Sequence, residues 1–322
     1  MMMRCNIVQV IVFSALVSLF PGAHAQTLPD KMQILVGVAA GGPNDSIARM
    51  IADRLRTKRN VTALVENRIG ANGLLAANVL ISSPPNGQTI LIMSQGLATI
   101  SPHLSQMPFD PLKDMTPIAG LATTDVGFCI ANHVPVDNVK DLVRYAQQSP
   151  KPLAFGAAGL GNVTHLLLER LKEVAKIPYT LIVYKGIAPS LQDLAGGHID
   201  GSACAVVTAG PLVKAGKIKL VAMYGEKRSR MFPEVPTMAE QGFPINDPAW
   251  YGLFGPPKMS RAAVTAVFNA IKEVTEDPET IQAIQKVGFE PWIQDPEKLS
   301  ALMRDESARW GKLIRDNNIK GE

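Results

Sequence analysis

Short apolar strands alternate with amphipathic helices along most of the chain. The segment MQILVGV predicts a buried strand, and the helix that follows carries Ile47, Met50, Ile51 and Leu55 on one face. A second strand (VTALVEN), a helix over Leu74–Ile81 and a third strand (QTILIM) complete a βαβαβ start. This order is typical of a mostly parallel sheet covered by helices, so we expect an α/β fold.

Length and composition limit the classes of protein to which this chain can belong. The chain has 322 residues, of which 47% are hydrophobic, so it can bury a sizeable core in about two domains of ordinary size. Its formal charge of +4 comes from 32 basic and 28 acidic residues. The basic residues form no long run interleaved with aromatic residues, which argues against nucleic acid as a partner.

The N-terminus has the pattern of a signal peptide. Arg4 precedes an apolar run over 7–20, and a small-x-small motif ends at Ala25. The run is shorter than the roughly 20 residues that a membrane-spanning helix needs. We therefore expect residues 1–25 to be removed on export, which leaves Gln26 as the first residue.

No motif for a metal, a nucleotide or a hydrolase is present. The mature chain keeps Cys129 and Cys204, which we expect to be two separate buried thiols; pairing in an oxidising compartment is the alternative. The five histidines lack HExxH and HxH spacing, and GxGxxG, GxxxxGK[ST] and GxSxG are absent. We expect no metal and no cofactor.

Three loops place glycine between a strand and a helix. They contain the pairs 41–42 and 185–186 and the segment 159–162. Unpaired backbone N–H groups and the positive end of the helix dipole meet at such a junction, so an anion can bind there. Glycine can also serve only a turn with positive φ. Three junctions together favour a shared anion site.

Six segments occur along the chain in a characteristic order. They are ILVGVAAGGPNDSIARMIADRL, VENRIGANGLLAANVLISSPPNGQTILI, FDPLKDMTPIAGL, LAFGAAGLGNVTHLLLERL, VYKGIAPSLQDLAGGHIDG, and EKRSRMFPEVPTMAEQGFP through WYGLFGPP. In this order they resemble the Bug family of extracytoplasmic solute receptors, the binding components of tripartite tricarboxylate transporters. The resemblance covers essentially the whole mature chain from about Asp30 to the last helix.

This resemblance implies a two-lobe periplasmic binding protein of the type II-like flytrap class, each lobe a central β-sheet flanked by helices. One lobe would comprise residues 26–124 and 225–322, and the other residues 125–224. The protein would be a monomeric receptor and not an enzyme. It would capture a small mono-, di- or tricarboxylate or an aromatic acid between the lobes, and would serve the membrane components of a transporter or a sensor.

The resemblance also implies a set of ligand-binding positions. They are Ala40, Gly41, Gly42, Asn44, Asp45, Ser94 and Gln95 in the first lobe, and Ala158, Gly159, Asn162, Thr164, Tyr184, Lys185 and Cys204 in the second. We interpret Asp45 as a residue that caps its own helix. Cys204 stands where the family often has aspartate, the partner for a ligand's ammonium group, so a plain carboxylate is a better candidate than an amino acid.

Two alternative functions remain open. One is an exported α/β enzyme that acts on a small anionic substrate, which would need a nucleophile–base pair or a metal cluster. The other is a receptor whose ligand is not a carboxylate, for instance an amide. Displacement by neutral ligands but not by anions would favour that second alternative.

Overall fold

The computed structural model describes residues 28–38, 40, 43–70, 73–184 and 186–320. The predicted signal peptide over 1–25 lies outside these residues. The described strands are, in chain order, β1 (Lys31–Val36), β2 (Thr62–Asn67), β3 (Thr89–Ser94), β4 (Thr116–Thr124), β5 (Val126–Ala131), β6 (Leu153–Ala157), β7 (Tyr179–Val183), β8 (Gly201–Ala205), β9 (Ile218–Met223), β10 (Ala249–Gly255) and β11 (Phe289–Gln294).

The described helices cover the faces of these strands. They are α1 (Pro43–Arg59), α2 (Leu74–Ile81), α3 (Ser101–Leu104), α4 (Val139–Gln148), α5 (Val163–Ala175), α6 (Ile187–Gly196), α7 (Val206–Lys214), α8 (Arg261–Thr275), α9 (Pro278–Lys286) and α10 (Pro296–Asp316). A π-helical turn, Gly96–Ile100, leads directly into α3. No helix in the described ranges is both long enough and apolar enough to cross a membrane.

The strands form two sheets, and the predicted two-lobe α/β fold is confirmed. The first sheet has the order β11-β4-β10-β3-β1-β2 and the second has the order β7-β6-β8-β5-β9. We call the first sheet with its helices the first lobe, and the second sheet with its helices the second lobe. Strands joined by helices pair in parallel, namely β1 with β2 and β3, and β6 with β7 and β8.

Both sheets are mixed, whereas the local pattern predicts mostly parallel sheets. Strands β4, β5, β9 and β10 flank the two crossings between the lobes, and their described pairings are antiparallel. Parallel pairing needs a crossover, usually a helix, that returns the chain to the end of the sheet where the previous strand began. A strand that arrives from the other lobe lacks this crossover, so it pairs antiparallel. The chain crosses once at Asp125 and returns through residues 224–248. The exact domain boundaries stay a prediction.

Each sheet buries apolar side chains on both faces. In β1, Ile34 belongs to the core beneath α1 and α8, and its neighbour Leu35 belongs to the core beneath α2 and α10. This is the alternation that a strand requires. Helix α10 joins the lobes, because Met303 packs in the first lobe whereas Trp310 packs in the core of the second.

A disulfide joins Cys129 of β5 to Cys204 of β8, so the expectation of two separate thiols is wrong. The two strands are adjacent and antiparallel, and Gly127 stands opposite Cys204. The cysteines are therefore diagonal neighbours, with Cα atoms 6.6 Å apart, a separation that a disulfide spans. Pairing of β5 with a strand 75 residues away brought the two sulfurs together; no local spacing could indicate it.

Candidate ligand-binding cleft

A cleft of about 510 Å³ lies between the two lobes. It opens at the carboxyl ends of β3 and β6, the edge at which open α/β sheets bind ligands. None of its described lining residues carries a charged side chain. They are Ser94, Gln95, Gly96, Leu97, Ile100, Ser101, Leu104, Ser105, Ala158, Gly159, Leu160, Gly161, Asn162, Val163, Ala249, Trp250 and Tyr251.

The second-lobe wall of the cleft is the loop between β6 and α5. Asn162 is the N-cap of α5, and its Oδ1 accepts a hydrogen bond of 3.0 Å from the Thr164 N–H. The Thr164 hydroxyl in turn accepts from the Ala158 N–H at 3.0 Å. These bonds fix the loop against the first turn of α5, so its backbone N–H groups are held near the positive end of the helix dipole.

Two amides at the tip of this loop remain available. The Gly161 N–H donates to Nδ1 of His165 at 3.0 Å, which leaves the imidazole proton on Nε2. By contrast, the Gly159 and Leu160 N–H groups have no hydrogen-bond partner in the described part of the chain. Gly159 has φ of 138°, a conformation that an L side chain rarely adopts. Both residues line the cleft, so the loop carries two adjacent unpaired backbone donors at the cleft wall.

A buried carboxylate supports the same loop from behind. Glu169 Oε1 accepts 2.7 Å from the Tyr179 hydroxyl and lies 3.7 Å from Nε2 of His165. Burial alone would raise the pKa of Glu169, but the nearby imidazole of His165, the hydrogen bond from Tyr179 and the charge of Lys172 lower it to about 2. The carboxylate is therefore ionised at neutral pH and orients His165 toward Gly161.

The first-lobe wall rests on a second buried carboxylate. Gln95, at the end of β3, donates from Nε2 to Oε1 of Glu306 at 3.0 Å. Trp250 Nε1 donates to Oε2 of Glu306 at 2.9 Å, and the Thr99 hydroxyl donates to Oε2 at 3.3 Å. Burial raises the pKa of Glu306 to about 7, and the bonds from Trp250 and Gln95 and the charge of Arg309 oppose that rise.

Five of the sequence-predicted residues line the cleft together: Ser94, Gln95, Ala158, Gly159 and Asn162. Thr164 supports the loop without lining the cleft. Asn44 lines a separate cavity of about 30 Å³ that shares Ser94 with the cleft. Gly41, Gly42 and Lys185 lie outside the described residues.

The remaining predicted residues lie away from the cleft lining. Ala40 is exposed. Asp45 is buried, and its carboxylate accepts hydrogen bonds of 2.9 Å from Arg49 and from Asn67.

The Tyr184 hydroxyl donates to Asp193 at 2.7 Å, and Tyr184 does not line the cleft. Burial and the Asp193 carboxylate raise the pKa of Tyr184 to about 12. Cys204 is fully buried in its disulfide and also lies outside the cleft lining.

Several cleft residues carry no recognisable signal in the local sequence. Trp250 and Tyr251 start the return strand β10, and Leu97, Ile100 and Leu104 come from the turn after β3. Glu306 is 211 residues away from Gln95, and no local signal connects the two. No group of three or more histidine, cysteine, aspartate or glutamate residues able to hold a metal ion occurs in the described ranges.

Comparisons with known proteins bear on this cleft. A family model described as the tripartite tricarboxylate transporter family receptor, TctC, matches residues 47–319. The chain is 30% identical over 277 residues to the "UPF0065 protein in gbd 5'region" of Cupriavidus necator, covering 86% of this chain and 84% of that protein. It is 27% identical over 315 residues to Protein BugT of Bordetella pertussis, covering 96% of each.

Solved structures share the fold. Rpa4515 of R. palustris with adipate superposes with a TM-score of 0.73 at 29% identity, covering 91% of this chain and 98% of that one. MatC from Rhodopseudomonas palustris with bound malate gives 0.68 at 26% identity, covering 88% and 98%. A TctC solute-binding protein from Polaromonas without ligand gives 0.81 at 23% identity, covering 89% and 98%.

Proposed function

Since the chain belongs to the receptor family of tripartite tricarboxylate transporters, we propose that it captures a small carboxylate in the cleft between its lobes. It is a solute-binding receptor by family and fold. The relatives of known structure include a periplasmic binding protein, BugD, and we place this chain in the periplasm as well. The lobes that hold the ligand would be residues 26–124 with 225–322, and residues 125–224.

The observation that carries the proposal is the pair of free amides at Gly159 and Leu160. They lie in the loop just before Asn162, the N-cap of α5, where the backbone dipoles favour negative charge. No carboxylate side chain lines the described part of the cleft, so none would repel an anion there. A ligand ammonium group, by contrast, would find no ionised partner among the same residues.

The rest of the cleft suits a short carbon skeleton. Leu97, Ile100 and Leu104 supply apolar contact, while the hydroxyls of Ser101 and Ser105 can bond a second polar group. The volume of about 510 Å³ is within the range of small-molecule sites. The similar structures of Rpa4515 and MatC contain adipate and malate, respectively. We propose the same chemical class for this chain, with the membrane components of a transporter or a sensor as its partner.

A melting-temperature panel tests the proposal. Adipate, malate, citrate and benzoate are compared with NAD, ATP and the neutral diamide of adipate. A ligand at 100 times its Kd that binds only the folded state stabilises it by about 2.7 kcal/mol. We expect at least one acid to raise the melting temperature and the nucleotides to have no effect. A response to the diamide alone would instead support a receptor for neutral ligands.

The responding acid is then tested on two variants. Ser101→Trp fills the cleft and should abolish the shift, whereas Ser82→Trp places the same side chain at the exposed end of α2 and should retain it. Proton NMR of the acid after incubation with the protein separates binding from turnover. Consumption of the acid would favour the exported enzyme and contradict the receptor.

A further inference from the structure

A buried hydrogen-bond cluster lies directly beneath the first-lobe wall of the cleft. Its members are Glu306, Gln95, Trp250 and Thr99, and Gln95 and Trp250 also line the cleft. Glu306 and Trp250 are 1% exposed, and Gln95 is 2% exposed. The Gln95 carbonyl oxygen, Oε1, is buried with no hydrogen-bond partner in the described structure.

We propose that Glu306 takes up a proton when an anion binds in the cleft, and that the Gln95 side-chain amide reverses as it does so. This inference rests on the proposed function, because it assigns to the same cleft a coupling between carboxylate binding and protonation. Glu306 acts through Gln95 and through its own charge, so it is a positioning residue and not a contact to the ligand.

The hydrogen-bonding capacity of each group sets the direction of the change. Trp250 Nε1–H can only donate, so Oε2 of Glu306 must stay an acceptor in both protonation states. The added proton therefore sits on Oε1, the oxygen that faces Gln95. An O–H at Oε1 needs an acceptor, and the Gln95 amide supplies one by turning its carbonyl oxygen toward Glu306. The Gln95 carbonyl oxygen then accepts a hydrogen bond from Glu306, and the NH₂ group of Gln95 occupies the position that this oxygen held.

Both parts of this change favour an anion in the cleft. Reversal replaces the buried carbonyl oxygen of Gln95, a residue that lines the cleft, by a donor, and protonation removes a negative charge from beneath the same wall. Conversely, a bound anion raises the free energy of the ionised Glu306 by like-charge repulsion and so promotes proton uptake. The two equilibria are reciprocal, as linkage requires.

The charged groups around Glu306 come from three elements. On α10 itself, Nη2 of Arg309 lies 3.9 Å from Oε1. On the return segment between the lobes, Asp247 is 1% exposed and pairs with Arg309 at 2.5 Å. On α5, Arg170 lies 3.6 Å from Asp247 and is bound to Glu173. Asp247 engages Arg309 more closely than Glu306 does, so the arginine does not fully compensate the buried carboxylate.

His103 of α3 also packs against α10, through a bond of 2.8 Å to Ser307. Burial lowers its pKa, so this imidazole is neutral near pH 7. Burial raises the pKa of Glu306 to about 7, which places its titration in the range where a bound anion can alter its protonation. A rise of about one pKa unit in the complex would weaken binding about fivefold between pH 6 and pH 8.

The first experiment needs no ligand. The indole ¹⁵N–¹H resonance of Trp250, assigned with Trp250→Phe, is followed from pH 5 to pH 9. We expect a titration centred near neutral pH that Glu306→Gln abolishes. Glu297→Gln, the same change at an exposed position in the first turn of α10, should leave the titration intact. An indole resonance of the wild-type protein that does not titrate overturns the inference, whether or not the variants fold.

The second experiment adds adipate or malate. Calorimetry at pH 6 and pH 8, in buffers of different ionisation enthalpy, should show weaker binding at pH 8 and net proton uptake, both absent in Glu306→Gln. Equal affinity at both pH values with a titrating indole overturns the coupling and leaves the proposed function standing. If the indole titrates and neither acid binds at either pH, adipate and malate are not ligands of this protein. The proposed coupling to carboxylate binding is then wrong, although the titration of Glu306 is still established.

Discussion

Reduction of the Cys129–Cys204 disulfide should destabilise the lobe that supplies the cleft loop. The bond joins residues 75 apart in sequence, and the closed segment contains the 158–162 loop. The loop-entropy relation gives about 4.5 kcal/mol for a loop of that length. Residual structure in the reduced unfolded chain makes this an upper value. The corresponding fall in melting temperature is on the order of 10 °C.

The assay compares oxidised protein with protein reduced in denaturant and refolded, because both sulfurs are fully buried in the native state. Guanidinium unfolding gives the free energy for each form. The Cys129→Ala/Cys204→Ala variant is the control, since its stability should not respond to the reductant. Two free thiols titrated in the denatured, unreduced protein would refute the reasoning, and so would equal stability of the two forms.

Three further predictions concern single substitutions and their matched controls. The depressed pKa of Glu169 contributes stability above pH 4.5 that is lost as the pH falls toward 2. Because solvent screens part of this interaction, Glu169→Gln should cost at most about 3 kcal/mol at pH 7 by urea unfolding, and much less at pH 2. Asn162→Ala removes a helix cap and should cost about 1 kcal/mol, as should Asn138→Ala at the cap of α4, but only the change at 162 should weaken binding of the acid by calorimetry. Gly161→Ala and Gly216→Ala both place a side chain at positive φ, at about 1 kcal/mol each. The methyl at 161 also meets a leucine of α3 at 2.6 Å, whereas the one at 216 meets nothing within 4 Å, so only the first should alter affinity.

Local periodicity predicts most individual elements. The helix predicted over Leu74–Ile81 has the same bounds in the structure, and the one predicted near 163–174 is observed as Val163–Ala175. These segments carry their own apolar face and a capping residue or glycine, so their sequence alone favours the helix. The glycine loop at 159–162 is predictable for the same reason, because its strand, turn and cap are contiguous.

Long-range pairing is not contained in local periodicity. Strand β10 inserts between β3 and β4, and its partners are more than a hundred residues earlier in the chain. Trp250 therefore reaches the cleft, and Glu306 reaches Gln95, only through the tertiary fold. The departure from the family pattern at Cys204 suggested an altered ligand contact, whereas in the structure that sulfur forms the disulfide.

The location of the bound ligand tests the central claim most directly. A crystal structure of the complex with the acid that most raises the melting temperature should place a carboxylate oxygen within hydrogen-bond distance of the Gly159 and Leu160 amides, with the remainder against Leu97 and Ile100. Ligand bound instead in the outer groove of about 730 Å³ between α5 and α10, with the cleft empty, would contradict the claim.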